Sequence, residues 1–205
     1  MVKIYGVARS RAFRTLWMAQ ELGLGYEHIK TDFAGQGTRT PEMLRLNPNG
    51  HVPVVDDDGF ILWESMAINL YLAKRYSPGM LYPDRLEDEA RAWQWSFWGV
   101  TEVERPSLTA LLNRVPLPGR EADPAAADQA ERALAAPLRV LDGIVGADRY
   151  LLGPQFTVAD LNVAGILAWA RQARVDLTPY PNAAVWLRAC HDRPAARAAR
   201  DLQRE

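Results

Sequence analysis

The dipeptide Glu64-Ser65 lies where an apolar β-type run, residues 60–63, passes into apolar residues repeated at helical spacing. Ser65 therefore occupies the position of an N-cap, with the free N–H groups of a helix behind it. A helix start of this kind is a ready site for an anion. The chemistry that these two residues predict is the binding of a negatively charged group.

Val52-Pro53 suggests a second kind of chemistry, the recognition of a peptide-like ligand by the backbone. Pro53 has no N–H for a sheet ladder and restricts Val52 to extended geometry, which marks a sheet edge or a special turn. Only about one X-Pro bond in twenty is cis in folded proteins, which favours trans. A cis bond would turn the Val52 N–H and C=O outward to pair with an extended ligand. A tight turn between two elements is the alternative, and the residues alone leave both open.

A β-hairpin and the helix after it must position both motifs. The run that opens at Val52-Pro53 ends at Asp56, and the cluster Asp56-Asp57-Asp58-Gly59 turns the chain into the run 60–63. We expect the three aspartates to form a solvated hairpin tip and not a calcium loop. The helix that follows should continue to about Tyr76.

The elements before the hairpin predict a small α/β domain. A β-prone run, residues 3–5, precedes an amphipathic helix that ends near Gly23, and residues 26–32 predict a second strand. Because a helix separates these two strands, we expect them to be parallel. Thr40-Pro41 predicts the start of a short helix. The expected order is β-α-β-α-β-β-α.

The second half of the chain predicts helices only. Residues 78–85 contain prolines and a glycine without periodicity, which predicts a linker between domains at 1–77 and 86–205. Helices are expected over 86–114 with a bend at Pro106, over 124–145, over 182–192 and over 195–202. Thr157 and Asp160 predict a capping box at the start of another helix, with a role in folding.

Composition limits the class of protein. The chain has 205 residues, 48% of them hydrophobic, and a net charge of −1, so nothing in its overall charge favours nucleic acid or an anionic membrane. Cys190 is the only cysteine; it excludes an intrachain disulfide and fits a reducing compartment, and we expect it to be a buried apolar residue. His28, His51 and His191 are too scattered to predict a zinc site. A soluble cytoplasmic protein is expected.

The order and spacing of these motifs resemble the glutathione transferase family, in its serine-type, theta- or phi-like bacterial form. The resemblance covers nearly the whole chain. Its most specific carriers are Asn47-Pro48-x-Gly50-x-Val52-Pro53, Asp58-Gly59-x-x-Leu62-x-Glu64-Ser65-x-Ala67-Ile68-x-x-Tyr71-Leu72 and Thr157-x-Ala159-Asp160. It implies a thioredoxin-like α/β N-terminal domain followed by an all-α C-terminal domain, and glutathione as co-substrate without a permanently bound cofactor or metal.

The resemblance also implies how glutathione is held. It implies a cis bond before Pro53 and assigns the Val52 backbone to the cysteinyl unit. It assigns the γ-glutamyl carboxylate to the Ser65 hydroxyl and the helix N–H groups, and the ammonium to Glu64. His51 is at the position that reaches toward the glycyl end, although an exposed surface histidine is an equal alternative.

Ser10 is aligned by Ser10-Arg11-x-x-Arg14 with the serine of the serine-type classes. A thiol with a pKa near 8.5 is mostly protonated at neutral pH, and a hydroxyl that donates to the charged sulfur would stabilise the thiolate by about 1.5–3 kcal/mol. A plain helix N-cap is the alternative role for Ser10. Tyr5 is a poorer candidate. Arg9 and Arg11 flank Ser10 and either reach the glycyl carboxylate or stay solvated.

The second substrate is expected to be a small hydrophobic electrophile. Trp93 with Phe97, and Trp95 with Trp98, form two aromatic stripes on different faces of one helix, and one stripe should be core. The other could line an acceptor-substrate cleft between the domains. The residues proposed for that cleft are Trp98, Thr101 and Arg105. A homodimer is implied by the resemblance alone. A non-catalytic ligand-binding or regulatory protein and a glutathione-dependent peroxidase are the alternative functions.

Overall fold

The structure is a computed structural model that describes residues 1–33, 35–115, 121–146 and 149–204. Its internal contacts divide the chain into two units. Unit 1 consists of Met1–Asp84 together with Asp192–Glu205, and unit 2 is Arg85–His191. The C-terminal segment, which the sequence prediction assigned to the helical domain, thus groups with unit 1. The predicted linker at 78–85 stays a prediction.

A four-stranded mixed sheet forms the centre of unit 1. Its strands are β1 (Val2–Tyr5), β2 (Tyr26–Ile29), β3 (Val54–Asp57) and β4 (Phe60–Trp63), in the order β2-β1-β3-β4. β1 and β2 are parallel, whereas β3 is antiparallel to both of its neighbours. Helix α1 (Ala12–Glu21) connects the parallel pair, so the predicted crossover is confirmed.

Two further helices complete the predicted order in unit 1. Helix α2 (Pro41–Leu46) follows a 3₁₀ turn (Gly37–Arg39), and helix α3 (Ser65–Tyr76) follows β4. The Thr40 hydroxyl accepts a hydrogen bond from the Met43 N–H at 3.3 Å, which confirms the predicted cap of α2.

The prediction that three aspartates form a solvated tip of the β3–β4 hairpin is wrong for one of them. Asp58 (φ 52°) and Gly59 (φ 93°) form the turn itself, with the two positive φ angles that a tight two-residue hairpin requires. Asp57 is not part of a solvated tip: it pairs with Phe60 in the ladder and is 2% exposed. The reason is its position at the last paired step of β3, where α3 covers the carboxylate.

Tyrosine hydroxyls satisfy the buried Asp57 carboxylate. Tyr71 and Tyr76 of α3 each donate to it at 2.8 Å, and Arg75 Nε lies 3.0 Å from it. The pKa values of Tyr71 and Tyr76 are both raised. The larger cause is burial, and the second is the hydrogen bond that each hydroxyl makes to Asp57. This cluster connects the hairpin to α3.

Helix α9 (Pro194–Asp201) packs against α1 within unit 1. Arg193, just before α9, donates to both carboxylate oxygens of Glu21 at 2.7 and 2.8 Å, and Trp17 Nε1 donates to the same carboxylate at 2.9 Å. After α9, Gln203 Nε2 donates to the Ala8 carbonyl at 3.1 Å. The C-terminal segment is therefore held to the turn before α1 and to the last residue of α1.

The described part of unit 2 is helical: α4 (Leu86–Trp98), a π-helical segment (Gly99–Glu104), α5 (Arg105–Arg114), α6 (Pro124–Val145), α7 (Val158–Gln172) and α8 (Pro181–His191). The predicted helix over 86–114 is helical throughout, but its middle is π-helical. Pro106 lacks the N–H that would bond the carbonyl one turn earlier, so the helix widens into a π segment before it. Pro137 lies inside α6.

The predicted capping box at the start of α7 is confirmed. The fully buried Asp160 carboxylate accepts from the Thr157 N–H at 3.0 Å, from the Leu151 N–H at 2.9 Å and from Trp186 Nε1 at 2.9 Å. Burial raises the pKa of Asp160, and these donors oppose that effect. Cys190 of α8 is buried, as expected. The α/β unit and the helical unit confirm the predicted fold class.

Candidate functional site

Ser10 lies in the turn between β1 and α1 and is half-buried. Its hydroxyl donates to the Val7 carbonyl at 2.7 Å, and its Oγ accepts from the Ala12 N–H at 3.1 Å. Ser10 therefore satisfies a free N–H in the first turn of α1, although the backbone N-cap position belongs to Arg11. A hydroxyl in this position can donate to a ligand once its proton turns away from Val7.

Gly6 brings the β1–α1 turn against Val52. Its φ is +127°, and a Cβ atom at Gly6 would lie 2.7 Å from the Ala12 Cβ and 3.0 Å from the Val52 Cβ. Such distances exclude a side chain, so the glycine is required both for its φ and for space. Gly6 is not among the site residues predicted from the sequence; a glycine directly after the first predicted strand was the available signal.

The Val52-Pro53 peptide bond is cis, as the family resemblance implies. The Val52 side chain is buried in a cluster with Met43 and Val54, against which Tyr5 packs. Within the described residues, no backbone hydrogen bond joins Val52 to the rest of the protein. Tyr5 is thus a packing residue beside this segment.

Asn47 folds the loop that leads into Val52-Pro53. The buried Asn47 side chain donates to the His51 carbonyl at 2.9 Å and accepts from the Asn49 N–H at 3.1 Å. The backbone of His51 is therefore fixed, while its imidazole is exposed. The predicted contact of His51 with a glycyl group stays a prediction.

Glu64 and Ser65 are consecutive at the start of α3, and the structure corrects which of them is the cap. Glu64 is the N-cap residue, with φ 73° and ψ 112°, and Ser65 is the first helical residue. A non-glycine residue with such a φ costs about 1–3 kcal/mol, and such residues cluster at ligand sites. Glu64 is exposed and Ser65 is buried. The positive φ of Glu64 could not be read from the residue type.

Arg14 connects α1 to this helix start. Arg14 is 1% exposed, and its Nη1 donates to the Ser65 Oγ at 3.3 Å. One turn further along α3, Asn69 Nδ2 donates to the Arg14 carbonyl at 3.3 Å. Arg14 is not among the site residues predicted from the sequence; an arginine four residues after Ser10, among apolar helix positions, was a signal of a buried charge.

The two arginines beside Ser10 are both exposed. Arg9 Nη2 pairs with Asp32 at 2.5 Å, and its guanidinium lies 6.0 Å from the centre of the Phe33 ring. Arg9 thus has a carboxylate partner within the protein. A contact of Arg9 or Arg11 with the glycyl carboxylate stays a prediction.

The aromatic stripes of α4 separate as expected, because Trp95 is buried and Phe97 is 68% exposed. Trp98 is half-buried, and its ring packs edge-on against Trp95 at 5.0 Å. Thr101 and Arg105 are exposed in and after the π segment. Their assignment to the acceptor substrate stays a prediction.

No group of three or more His, Cys, Asp and Glu side chains is arranged to hold a metal ion in the described ranges. None of the described helices is both long and apolar enough to cross a membrane. A cavity of about 340 Å³ in unit 2 is lined by residues of α6 and of the segment 175–180, and none of the predicted site residues lines it.

Three comparisons with known proteins agree with this arrangement. The family model described as the glutathione S-transferase N-terminal domain matches residues 1–74, and the model for the C-terminal domain matches residues 124–189. The chain is similar to glutathione S-transferase GstB of Escherichia coli, at 30% identity over 200 residues that cover 96% of each protein.

Two solved structures have the same fold. The theta class glutathione S-transferase from Xanthomonas axonopodis pv. citri, solved with glutathione bound, is 30% identical, has a TM-score of 0.87 and is matched over 97% of this chain and 96% of its own. Glutathione S-transferase-I, solved with lactoylglutathione, is 28% identical, has a TM-score of 0.89 and is matched over 98% of this chain and 99% of its own.

Proposed function

The chain belongs to the glutathione S-transferase family and is an enzyme, and we propose that it activates the thiol of glutathione as a thiolate and conjugates it to a small hydrophobic electrophile. In this reaction the thiolate sulfur attacks an electrophilic carbon of the second substrate. A carbon–sulfur bond forms, and the leaving group departs with its electron pair. The protein needs no further redox partner for this step.

The observation that carries the proposal is that three segments meet around the first turns of α1. The Ser10 hydroxyl accepts from the Ala12 N–H, Gly6 lies close to both Ala12 and Val52, and Arg14 donates to Ser65. The segments assigned to the thiol, the cysteinyl backbone and the γ-glutamyl group of glutathione are thus all connected to one helix, which supports the proposal.

Ser10 and the start of α1 favour a thiolate. A hydroxyl donor contributes about 1.5–3 kcal/mol to a charged acceptor. The positive end of the α1 dipole adds about 0.3–1 kcal/mol. Ser10 acts here as a hydrogen-bond donor that stabilises the sulfur and not as a nucleophile. Its hydrogen bond from the Ala12 N–H is compatible with this, because a hydroxyl oxygen can accept one hydrogen bond while it donates its own proton to another atom.

The remaining assignments place the rest of the tripeptide. We assign the γ-glutamyl carboxylate to the Ser65 hydroxyl and the first N–H groups of α3, and the ammonium to Glu64. The cysteinyl backbone pairs with Val52 beside Pro53, as in β-strand addition. His51 is assigned to the glycyl end. Each of these roles follows from the family resemblance and is supported by the local geometry.

The electrophile is proposed to contact Trp98, Thr101 and Arg105. Of these, Trp98 offers apolar aromatic surface, which selects for size and hydrophobicity more than for identity. Peroxide reduction with glutathione is the nearest alternative reaction on the same thiolate.

We also propose that the chain forms a homodimer in the cytoplasm. Several large apolar side chains are exposed, among them Phe60 at 48% on the sheet-edge strand β4 and Phe97 at 68% on α4, and a second copy would cover such surfaces. Sedimentation at micromolar concentration should give twice the chain mass, and a monomer would contradict this proposal. Residues 78–85 are proposed as the linker between a glutathione-binding domain, 1–77, and a helical domain, 86–205.

Activity and binding assays test the enzymatic proposal together. The protein should be retained on immobilised glutathione and should catalyse conjugation of glutathione to a generic aromatic halide. Ser65→Ala should weaken glutathione binding about tenfold, because the variant loses one hydrogen bond to a charged group. Ser77→Ala, after the opposite end of α3, is the matched control and should leave binding unchanged. Binding without turnover across a broad panel of electrophiles would favour a ligand carrier, and a coupled assay for oxidised glutathione separates peroxide reduction.

A further inference from the structure

His28 of β2 donates a hydrogen bond to a backbone carbonyl in the turn that carries Ser10. Its Nε2 lies 2.7 Å from the Gly6 carbonyl oxygen. A carbonyl oxygen can only accept, so Nε2 carries the proton, in the neutral imidazole as in the charged one. His28 pairs with Ile4 in the β1–β2 ladder. Its side chain therefore reaches past the end of β1 into the β1–α1 turn.

The imidazole is the donor that the sheet does not provide for this carbonyl. Gly6 is buried, and its N–H donates to the Ile29 carbonyl at 3.0 Å where the β1–β2 ladder ends. Among the residues that the structure describes, no backbone N–H donates to the Gly6 carbonyl. A buried carbonyl without a donor is costly and is normally paired. His28 thus satisfies a group that would otherwise be left without a partner.

The peptide group between Gly6 and Val7 depends on this bond for its orientation. Gly6 has a φ of +127°, and without a Cβ atom it meets little steric resistance to rotation about ψ. Its N–H bond to Ile29 and its close approach to Ala12 restrain the N–H and the α-carbon of Gly6. Neither contact restrains the carbonyl that follows. The hydrogen bond from the imidazole does, because it holds the oxygen of that peptide group.

This peptide group leads directly to the acceptor that holds Ser10. The Val7 carbonyl accepts from the Ser10 N–H at 2.9 Å and from the Ser10 hydroxyl at 2.7 Å. A rotation of the Gly6–Val7 peptide would displace the Val7 carbonyl and, with it, both groups of Ser10. The position of the Ser10 hydroxyl is therefore linked to the side chain of His28 through two residues of backbone.

We propose that His28 is a positioning residue for thiolate activation, which keeps the Ser10 hydroxyl where it can donate to the sulfur of glutathione. The proposal rests on the proposed function, because it needs Ser10 to act as that donor. His28 acts through the backbone of Gly6 and Val7, without itself touching the ligand.

Substitutions of His28 in the full-length protein test this role. His28→Leu removes the donor and should raise the pKa of the bound glutathione thiol by about half a unit to one unit, measured by the ultraviolet absorbance of the thiolate. For conjugation to an aromatic halide at neutral pH, kcat/KM should fall about three- to tenfold, because less thiolate is present. His28→Gln should restore most of both values, since its amide N–H donor is as many bonds from the backbone as Nε2.

A double-mutant cycle tests whether His28 acts through Ser10. In a Ser10→Ala background, most of the effect of His28→Leu on the thiol pKa should disappear, because the two residues act on one hydrogen bond. Tyr26→Phe is the matched control in the same strand. It keeps the ring, whose centre lies 6.5 Å from that of His28, and removes the hydroxyl that accepts from Gln20 at 3.0 Å. The thiol pKa should stay unchanged in this variant.

The outcomes separate the role of His28 from the proposed function. If the unaltered protein binds no glutathione, or if Ser10→Ala leaves the thiol pKa unchanged, the proposed activation by Ser10 is wrong and this proposal is wrong with it. If Ser10→Ala raises the thiol pKa but His28→Leu only lowers the unfolding midpoint, His28 has a structural role alone. An effect of His28→Leu that persists in full in the Ser10→Ala background would also overturn the proposal.

A second pair of variants decides the question if His28→Leu does not fold. The amide of His28→Asn is one bond closer to the backbone than that of His28→Gln, so it should not reach the Gly6 carbonyl. A higher thiol pKa in His28→Asn than in His28→Gln supports the proposal, and equal values overturn it.

Discussion

Replacing Ser10 by alanine tests the proposed thiolate activation most directly. The Ser10 hydroxyl now donates to Val7 at 2.7 Å, and that bond must break when the proton turns to sulfur. The gain from the charged hydrogen bond is about 1.5–3 kcal/mol, and the loss of the neutral one is about 0.5–1.5 kcal/mol. The net stabilisation of the thiolate is then about 1–2 kcal/mol, close to one pKa unit.

Ser10→Ala should therefore raise the pKa of the bound glutathione thiol by about one unit. Since the thiolate is the nucleophile, kcat/KM at neutral pH should fall about tenfold and should recover as pH rises. The pH–rate profile of conjugation to an aromatic halide measures both effects. The variant should also lose about 1 kcal/mol of stability, because the Ala12 N–H loses its acceptor.

Two variants provide controls for this experiment. Ser10→Thr keeps a hydroxyl and should keep most of the activity. Tyr5→Phe removes a hydroxyl from the adjacent strand, where Tyr5 packs against the cluster of Met43, Val52 and Val54, and should leave the profile unchanged. The reasoning is refuted if Ser10→Ala has the wild-type profile, or if Tyr5→Phe shifts the thiol pKa instead.

Three further predictions concern stability. Asp160→Asn should lower the free energy of unfolding in urea by about 1–3 kcal/mol, because an amide nitrogen would face donors that now bind a carboxylate. Glu21→Gln should cost about 2–3 kcal/mol in the same assay, since Glu21 is a buried carboxylate and Arg193 is only partly exposed. The raised pKa of Tyr71 means that the folded state keeps a proton that the unfolded state releases near pH 10, so stability should fall as pH rises above about 10. Tyr71→Phe should make that fall less steep in unfolding experiments.

Matched substitutions at exposed positions separate these effects from general damage. Asp123→Asn changes the exposed cap of α6, where asparagine caps equally well, and should cost less than about 0.5 kcal/mol. Glu42→Gln breaks an exposed pair with Arg45 and should be similarly mild. Equal losses in these controls and in the buried variants would contradict the role given to burial.

The elements of this fold were predictable wherever the sequence carries a local signal. Thr40-Pro41 and the capping box at Thr157 predicted helix starts, and Asp58-Gly59 predicted the hairpin turn. Caps and tight turns are predictable because they depend on residues close in sequence. The helical periodicity of residues 66–72 gave α3. Such features need no knowledge of the tertiary structure.

The predictions that failed concern features that depend on what lies next to a residue in space. Asp57 looked like part of a solvated turn, but α3 covers it with two tyrosine hydroxyls. The positive φ of Glu64 moved the cap of α3 by one residue, and residue type alone does not reveal it. Arg14 would be assigned to the surface by default, because arginine is rarely buried without a partner.

The β1–α1 turn and the start of α3 are both connected to α1, through the close approach at Gly6 and through Arg14. Ser10, Val52 and Ser65 therefore depend on the same helix for their positions. If these residues hold glutathione as proposed, a substitution that shifts α1 should weaken all of their contacts with the tripeptide together.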